Sequence, residues 1–74
     1  MGGAVDYGER VLIEDLFGLK ALFNGGWSME HLPIGTQFTI GKNDAGKTCI
    51  FARGREYPVD TSKKNEALAS SREL

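Results

Sequence analysis

A single cysteine, Cys49, in a chain of 74 residues is the feature that most limits how this protein can fold. One cysteine cannot close an intramolecular disulfide, and one cysteine with one histidine cannot supply the four ligands of a structural zinc site. Without such a cross-link, a core of this size seldom contributes more than about 3–5 kcal/mol. We therefore expect one small soluble domain that binds no metal or cofactor and is stabilised by self-association.

Composition and charge weigh against several classes of function. Hydrophobic residues make up 41% of the chain and charged residues 26%, which is typical of globular domains. The formal net charge of −1 gives no overall attraction to nucleic acid or to acidic membranes. The apolar run at residues 11–13 is far too short to cross a bilayer, and the start of the chain lacks a secretion signal. These features, with the lone cysteine, predict a cytoplasmic protein without a membrane segment.

The spacing of apolar residues in the first third of the chain predicts an amphipathic helix. Large apolar side chains recur at the interval of one helical face, at Leu12, Leu16, Leu19 and Phe23. Asp6 and Glu9 resemble a capping pair before this run, and the Asn-Gly-Gly at residues 24–26 is a typical helix end. Gly18 inside the run costs roughly 1 kcal/mol relative to alanine, so it marks either close packing or a break.

The second half of the chain predicts a β-meander. Residues 36–41 alternate with period two, residues 48–52 are β-branched and aromatic, and residues 55–59 suit an edge strand because Pro58 has no amide to donate. A four-residue turn with a glycine bulge at residues 43–46 and a second turn at Arg53-Gly54 connect them. Counting back from the first turn pairs Lys42 with Lys47, Ile40 with Cys49, and Phe38 with Phe51.

The predicted fold class is therefore α+β, with the N-terminal amphipathic helix packed on a three-stranded antiparallel meander. We expect a single domain over residues 1–60. Residues 61–74 are expected to form a polar tail or a short frayed helix capped by Thr61 or Ser62.

Residues 41–48 match the phosphate-loop pattern of nucleotide-binding proteins as a string. That loop works only where it leads into a long helix, and the residues after Thr48 resemble a strand instead. The hairpin interpretation is favoured, and nucleotide binding at residues 41–48 remains a remote alternative.

Basic residues cluster in the second half of the chain. Residues 41–64 hold six Lys and Arg against three Asp and Glu. A basic β-hairpin that contacts a phosphate backbone would use Lys42, Lys47, Arg53 and Arg55. The simpler interpretation is that these side chains solvate the turns and protect the sheet edge. A nucleic-acid-binding regulator is therefore the second functional hypothesis.

The leading hypothesis is a non-enzymatic regulatory or adaptor module that acts through protein–protein contact as a homodimer. No catalytic arrangement is identifiable around His31, and Cys49 is expected to be buried. The apolar stripe of the predicted helix is wider than a three-stranded sheet can cover, which favours a docking surface. Aromatic residues in loops are frequent at interfaces. The predicted contact residues are Leu19, Phe23, Trp27 and Met29.

Overall fold

The computed structural model describes residues 7–23 and 25–74, which fold mainly into β-structure. In chain order the elements are β1 (Arg10–Leu12), β2 (Leu16–Phe23), β3 (Gly26–Leu32), β4 (Gln37–Lys42), β5 (Thr48–Ala52), β6 (Arg55–Pro58), α1 (Thr61–Ala69) and β7 (Ser71–Glu73). Among these residues, no helix is long and apolar enough to cross a membrane.

The strands form a five-stranded sheet with the order β6-β5-β4-β1-β7 and a separate two-stranded hairpin, β2-β3. The hairpin folds back so that β2 contacts β6. Leucines from the hairpin meet the apolar face of the larger sheet in one core. Its largest fully buried members are Tyr57, Leu12, Leu16, Leu19, Leu32, Ile40 and Ile50.

The predicted N-terminal helix packed on a three-stranded meander is wrong, because residues 16–23 form strand β2. Leu16 pairs with Leu32 whereas Leu19 pairs with Glu30, so β2 contains one extra residue between these pairs. Gly18, at φ +74°, lies in this bulge. The bulge leaves Leu16 and Leu19 buried on the same face although they are three positions apart, which imitates the repeat of a helix.

The Asn-Gly-Gly segment connects β2 to β3 instead of ending a helix. The ladder between β2 and β3 extends to the pair Phe23 and Gly26. Gly25 has φ +78°, a left-handed conformation that glycine adopts without strain. Asp6, Asn24 and the Phe23 side chain lie outside the part of the chain that the structure describes, and the predicted helix cap at Asp6 falls there.

Strands are present at the three positions predicted for the meander, as β4, β5 and β6, but they belong to the five-stranded sheet. The predicted register is wrong by one residue, since Lys42 pairs with Thr48 and Ile40 with Ile50. The four-residue turn at residues 43–46 is as predicted, since the Gly46 amide donates to the Asn43 carbonyl oxygen at 2.9 Å. The Asn43 amide donates to the Lys47 carbonyl oxygen at 3.0 Å, so Lys47 lies opposite Asn43, just beyond the last pair of the ladder, and not opposite Lys42. Gly46, at φ +79°, provides the expected glycine bulge.

The C-terminal segment, predicted as a polar tail or frayed helix, contains α1 and β7. The helix is capped one residue before the predicted positions, where the Asp60 carboxylate accepts from the Lys63 amide at 2.8 Å. β7 pairs with β1 at the edge of the sheet. Arg10 donates to the Ser71 hydroxyl at 2.8 Å and to the Ser71 carbonyl at 3.2 Å, which ties the two strands together.

The bulge gives a direct test of the fold. Replacing Gly18 by alanine places a side chain at φ +74°, with a new Cβ 3.4 Å from the Lys63 amine. We expect Gly18→Ala to lower the free energy of unfolding by about 1–2 kcal/mol, the typical penalty for a left-handed residue with a Cβ. Urea denaturation measures it, with Gly18→Asn as the matched control that tolerates this conformation better. A helix over residues 16–23 would instead be stabilised by the alanine.

Candidate functional site: the exposed side of the hairpin

One side of the β2-β3 hairpin carries large apolar side chains that are open to solvent. Phe17, Leu22 and Met29 are each 58% exposed, and Trp27 is 56% exposed. Cross-strand pairing places Leu22 opposite Trp27 and Lys20 opposite Met29. The His31 ring stacks on Phe17 with centroids 5.3 Å apart. We call this surface the hairpin face, and it consists of Phe17, Lys20, Leu22, Trp27, Met29 and His31.

The apolar area of the hairpin face is large for so small a chain. Four side chains of roughly 200 Å² each, a little over half exposed, present about 450 Å². That equals the largest apolar patch of a typical monomer, which is often functional. It is also about half of what one partner contributes to a standard protein–protein interface.

Lys20 lies near the middle of the hairpin face and places a positive charge there. Its amine is 4.7 Å from the centroid of the Trp27 ring, a distance at which cation and aromatic ring attract each other. This contact holds Trp27, which contains the only indole in the chain, against the strand pair. The face is therefore apolar with one cation near its centre.

The opposite, inward side of the hairpin is attached to β6 through Glu30. Glu30 accepts a hydrogen bond from the Tyr57 hydroxyl at 2.9 Å and forms an ion pair with Arg55. The Ser28 hydroxyl donates to the same carboxylate at 3.2 Å. The Glu30 side chain is only 19% exposed, so its charge is stabilised mainly by these partners. We call this group of contacts the Glu30 anchor.

Two further contacts hold the end of the hairpin that carries Phe17 and His31. The Lys63 amine, on α1, donates to the Phe17 carbonyl oxygen at 2.7 Å, next to the bulge. The Arg53 guanidinium donates to the His31 carbonyl oxygen at 3.5 Å. Side chains from α1 and from the β5–β6 turn therefore fix the backbone on which the hairpin face is built.

The structure brings two of the predicted contact residues together. Trp27 and Met29 both lie on the hairpin face, in strand β3 and not in the expected connector. Leu19 is 1% exposed on the inward side, so it contributes to the core and is not accessible to a partner. Sequence reasoning missed Phe17, Leu22, Lys20, His31 and Glu30. The period-two alternation of Trp27, Met29 and His31 after an Asn-Gly pair was the available signal.

The four basic residues of the nucleic-acid hypothesis do not form one cluster. Lys42 and Lys47 flank the β4–β5 turn, whereas Arg53 and Arg55 flank the β5–β6 turn. These turns lie at opposite ends of β5, roughly 15 Å apart for a strand of this length. Both arginines contact β3, through His31 and Glu30.

Residues 41–48 form the β4–β5 hairpin, and Thr48 begins strand β5. The helix that a phosphate-binding loop requires after this threonine is therefore not present at that position.

Cys49 is fully buried, as expected, but it pairs with Gly41 and lies on the opposite side of the sheet from the predicted one. Burial raises the pKa of the Cys49 thiol, and the nearby Glu56 carboxylate raises it further. A raised pKa and full burial make a thiol unreactive.

Comparisons with protein-family models, with curated proteins and with solved structures give no match for this chain.

The Glu30 anchor predicts a specific loss of stability. In Glu30→Ala the buried Tyr57 hydroxyl loses its acceptor, which costs about 1–3 kcal/mol. The half-exposed Arg55 adds little to this loss. Chemical denaturation measures the change, and Glu14→Ala, at an exposed position before β2, is the control. Equal stabilities of the two variants would show that the anchor does not hold the hairpin.

Two buried acidic groups predict a loss of stability at alkaline pH. Burial raises the pKa of Tyr57 above its ordinary value of 10.0, a hydrogen bond from Arg53 opposes the shift, and Glu30 adds to it. The pKa of Cys49 is raised above 9.0. Because both pKa values are higher in the folded state, this stabilisation is complete below about pH 9 and is lost as pH rises through the folded pKa values.

We expect the urea midpoint to fall as the pH rises above about 9, with a smaller fall in Tyr57→Phe and Cys49→Ala. Circular dichroism at fixed urea concentrations measures the midpoint. An unchanged pH dependence in both variants would contradict the assignment.

Proposed function

We propose that this chain is a small non-enzymatic interaction module, of a regulatory or adaptor kind, that docks on a partner protein through the hairpin face. The observation that supports this most strongly is the set of four large apolar side chains exposed together on one side of a two-stranded sheet. Tryptophan is enriched among interface residues that dominate binding, and aromatic residues and methionine are enriched at interfaces generally.

The energetics of the hairpin face suit a docking surface. Burying about 450 Å² of apolar area contributes on the order of 11 kcal/mol to the free energy of binding, before the cost of association is subtracted. Association itself costs an estimated 4–15 kcal/mol, so further polar contacts decide the affinity. The Glu30 anchor and the Lys63 contact hold the strands in place before binding, which lowers the cost of ordering the surface.

A homodimer is the second occupant to consider for this surface. In a dimer with two-fold symmetry, the hairpin face of one copy contacts the hairpin face of the other. The Lys20 amines of the two copies then approach each other near the centre. The hairpin face has no carboxylate to neutralise them, which weighs against face-to-face self-association.

A cytoplasmic setting fits the free, buried thiol of Cys49.

Binding to nucleic acid is less well supported than protein contact. Arg53 and Arg55 are engaged with β3, which leaves Lys42 and Lys47 at a separate turn. One side of the Phe17 ring is covered by His31, and one side of the Trp27 ring is covered by Lys20. The aromatic surfaces that would stack on bases are therefore partly occupied.

Selection of binding peptides from a random 12-residue display library tests the proposed function. We expect the wild-type chain to enrich peptides that bind Trp27→Ser/Met29→Ser at least about tenfold more weakly, because large interface side chains each contribute more than about 1 kcal/mol. The intrinsic fluorescence of Trp27 reports binding to the wild type. Biolayer interferometry compares the variants.

The matched control is Ile34→Ser, which removes an apolar side chain that is 64% exposed but lies outside the hairpin face. It should leave the affinity of the selected peptides unchanged. Enrichment of no peptides, or of peptides that bind the double variant as well as the wild type, would refute docking through this surface.

A further inference from the structure

We propose that the hairpin face recognises an acidic amphipathic segment of a partner protein, in which carboxylates flank apolar side chains. This inference rests on the proposed function and names the chemistry of its partner. The charges on and around the hairpin face carry it.

Four cations lie on or around the hairpin face. Lys20 lies near its middle, Lys63 contacts the backbone of Phe17, and Arg53 contacts the backbone of His31. Arg55 lies beside Leu22, where both line the same recess. Three carboxylates accompany these four cations: Glu30 and Glu66, which are in ion pairs with Arg55 and Lys63, and Glu56, which lines the same recess as Arg55.

The carboxylates nearest to the hairpin face are directed elsewhere. Glu30 alternates with Met29 and His31 along β3, so it projects to the inward side, where it contacts Tyr57. Glu56 accepts a hydrogen bond from the Asn43 amide at 3.0 Å and lies close to the Cys49 thiol. The cation at the centre of the hairpin face therefore has no acidic neighbour on that surface among the residues that the structure describes.

A recess of about 450 Å³ adjoins the hairpin face at Leu22. Its lining consists of Ala21 and Leu22 from β2, Gly54 from the β5–β6 turn, and Arg55 and Glu56 from β6. Arg55 is already in the ion pair with Glu30, and Glu56 lines the same recess, so the recess offers a partner an apolar contact and not a second site for a carboxylate. Lys20 is thus the position on the hairpin face at which a partner carboxylate is stabilised next to apolar groups.

Desolvation explains why the partner should be acidic and not merely apolar. An apolar partner that covers Lys20 removes water from its ammonium group without replacing the lost interactions. A basic partner adds repulsion to this cost. A carboxylate that meets the ammonium offsets the desolvation, and the aromatic ring of Trp27 stabilises the same cation from below.

The peptides selected on the wild-type chain test this inference. We expect them to be enriched in Asp and Glu together with Leu, Phe or Trp. Lys20→Glu should weaken their binding at least about tenfold, because like charges then face each other. The matched control is Lys42→Glu, the same charge reversal at the exposed β4–β5 turn, which should change their affinity by less than about twofold. A second selection on Lys20→Glu should yield Lys- and Arg-containing peptides.

Each outcome separates this inference from the proposed function. Peptides that depend on Trp27 and Met29 but carry no excess of acidic residues, or that bind Lys20→Glu unchanged, would overturn the acidic partner and leave docking intact. Peptides that do not depend on Trp27 and Met29 would overturn both. Light scattering that shows a dimer broken by Lys20→Asp or Trp27→Ser would make a second copy the occupant. Binding of oligothymidylate that is lost in Lys20→Glu would make nucleic acid the occupant of the hairpin face. A second copy or nucleic acid as the occupant would refute the proposal.

Discussion

The Glu30 carboxylate connects the two parts of this molecule, and the exposed hairpin depends on it. A two-stranded hairpin is at best marginally stable alone in water, because one side of it has nothing to pack against. Here no backbone ladder joins β2-β3 to the five-stranded sheet among the described residues, so side chains must hold it. Leucines provide the apolar part of the attachment, and Glu30, Tyr57 and Arg55 provide its polar part.

The orientation of the hairpin follows from this attachment. Side chains alternate along a strand, so directing Glu30 and Leu19 inward directs Trp27 and Met29 outward. A slip of one residue would move Leu32 out of the core and leave the buried Tyr57 hydroxyl without its acceptor, which makes that arrangement unfavourable. The left-handed Gly18 bulge lets β2 keep both Leu16 and Leu19 in the core without disturbing β3. The same contacts thus set the fold and define the surface offered to a partner.

Local signals predicted the sheet better than they predicted the hairpin. The alternation from β4 to β6 and the two glycine-containing turns indicated three strands close to their observed bounds, because these strands pair with neighbours in sequence. The register was missed by one residue because the turn at residues 43–46 fits strands in which Lys47 lies opposite either Lys42 or Asn43. Only the hydrogen bond from the Asn43 amide to the Lys47 carbonyl oxygen distinguishes the two registers. β1 and β7 pair across almost the whole chain, at a separation that no local pattern reports.

The N-terminal helix was predicted wrongly for a specific physical reason. A bulge at Gly18 and a loop before Leu16 spaced the buried leucines three and four residues apart, which is also the spacing of a helical face. The Asn-Gly pair at residues 24–25 is a strong hairpin signal, and it outweighs the apolar spacing once Trp27, Met29 and His31 are recognised as an alternating strand. Trp27 and Met29 were identified from their residue types. Glu30 and Lys20 could not be identified in this way, because the role of each depends on which side of its strand it occupies.

The measurement that tests this account most directly is the solvent accessibility of individual side chains, from NMR relaxation enhancement by a soluble gadolinium chelate. We expect strong broadening of the Trp27 indole and the Met29 methyl group, and protection of the Leu16, Leu19 and Ile40 methyl groups. Protection of Trp27 and Met29 to the same degree as Leu19, in a monomeric sample, would contradict the hairpin orientation and the docking surface built on it.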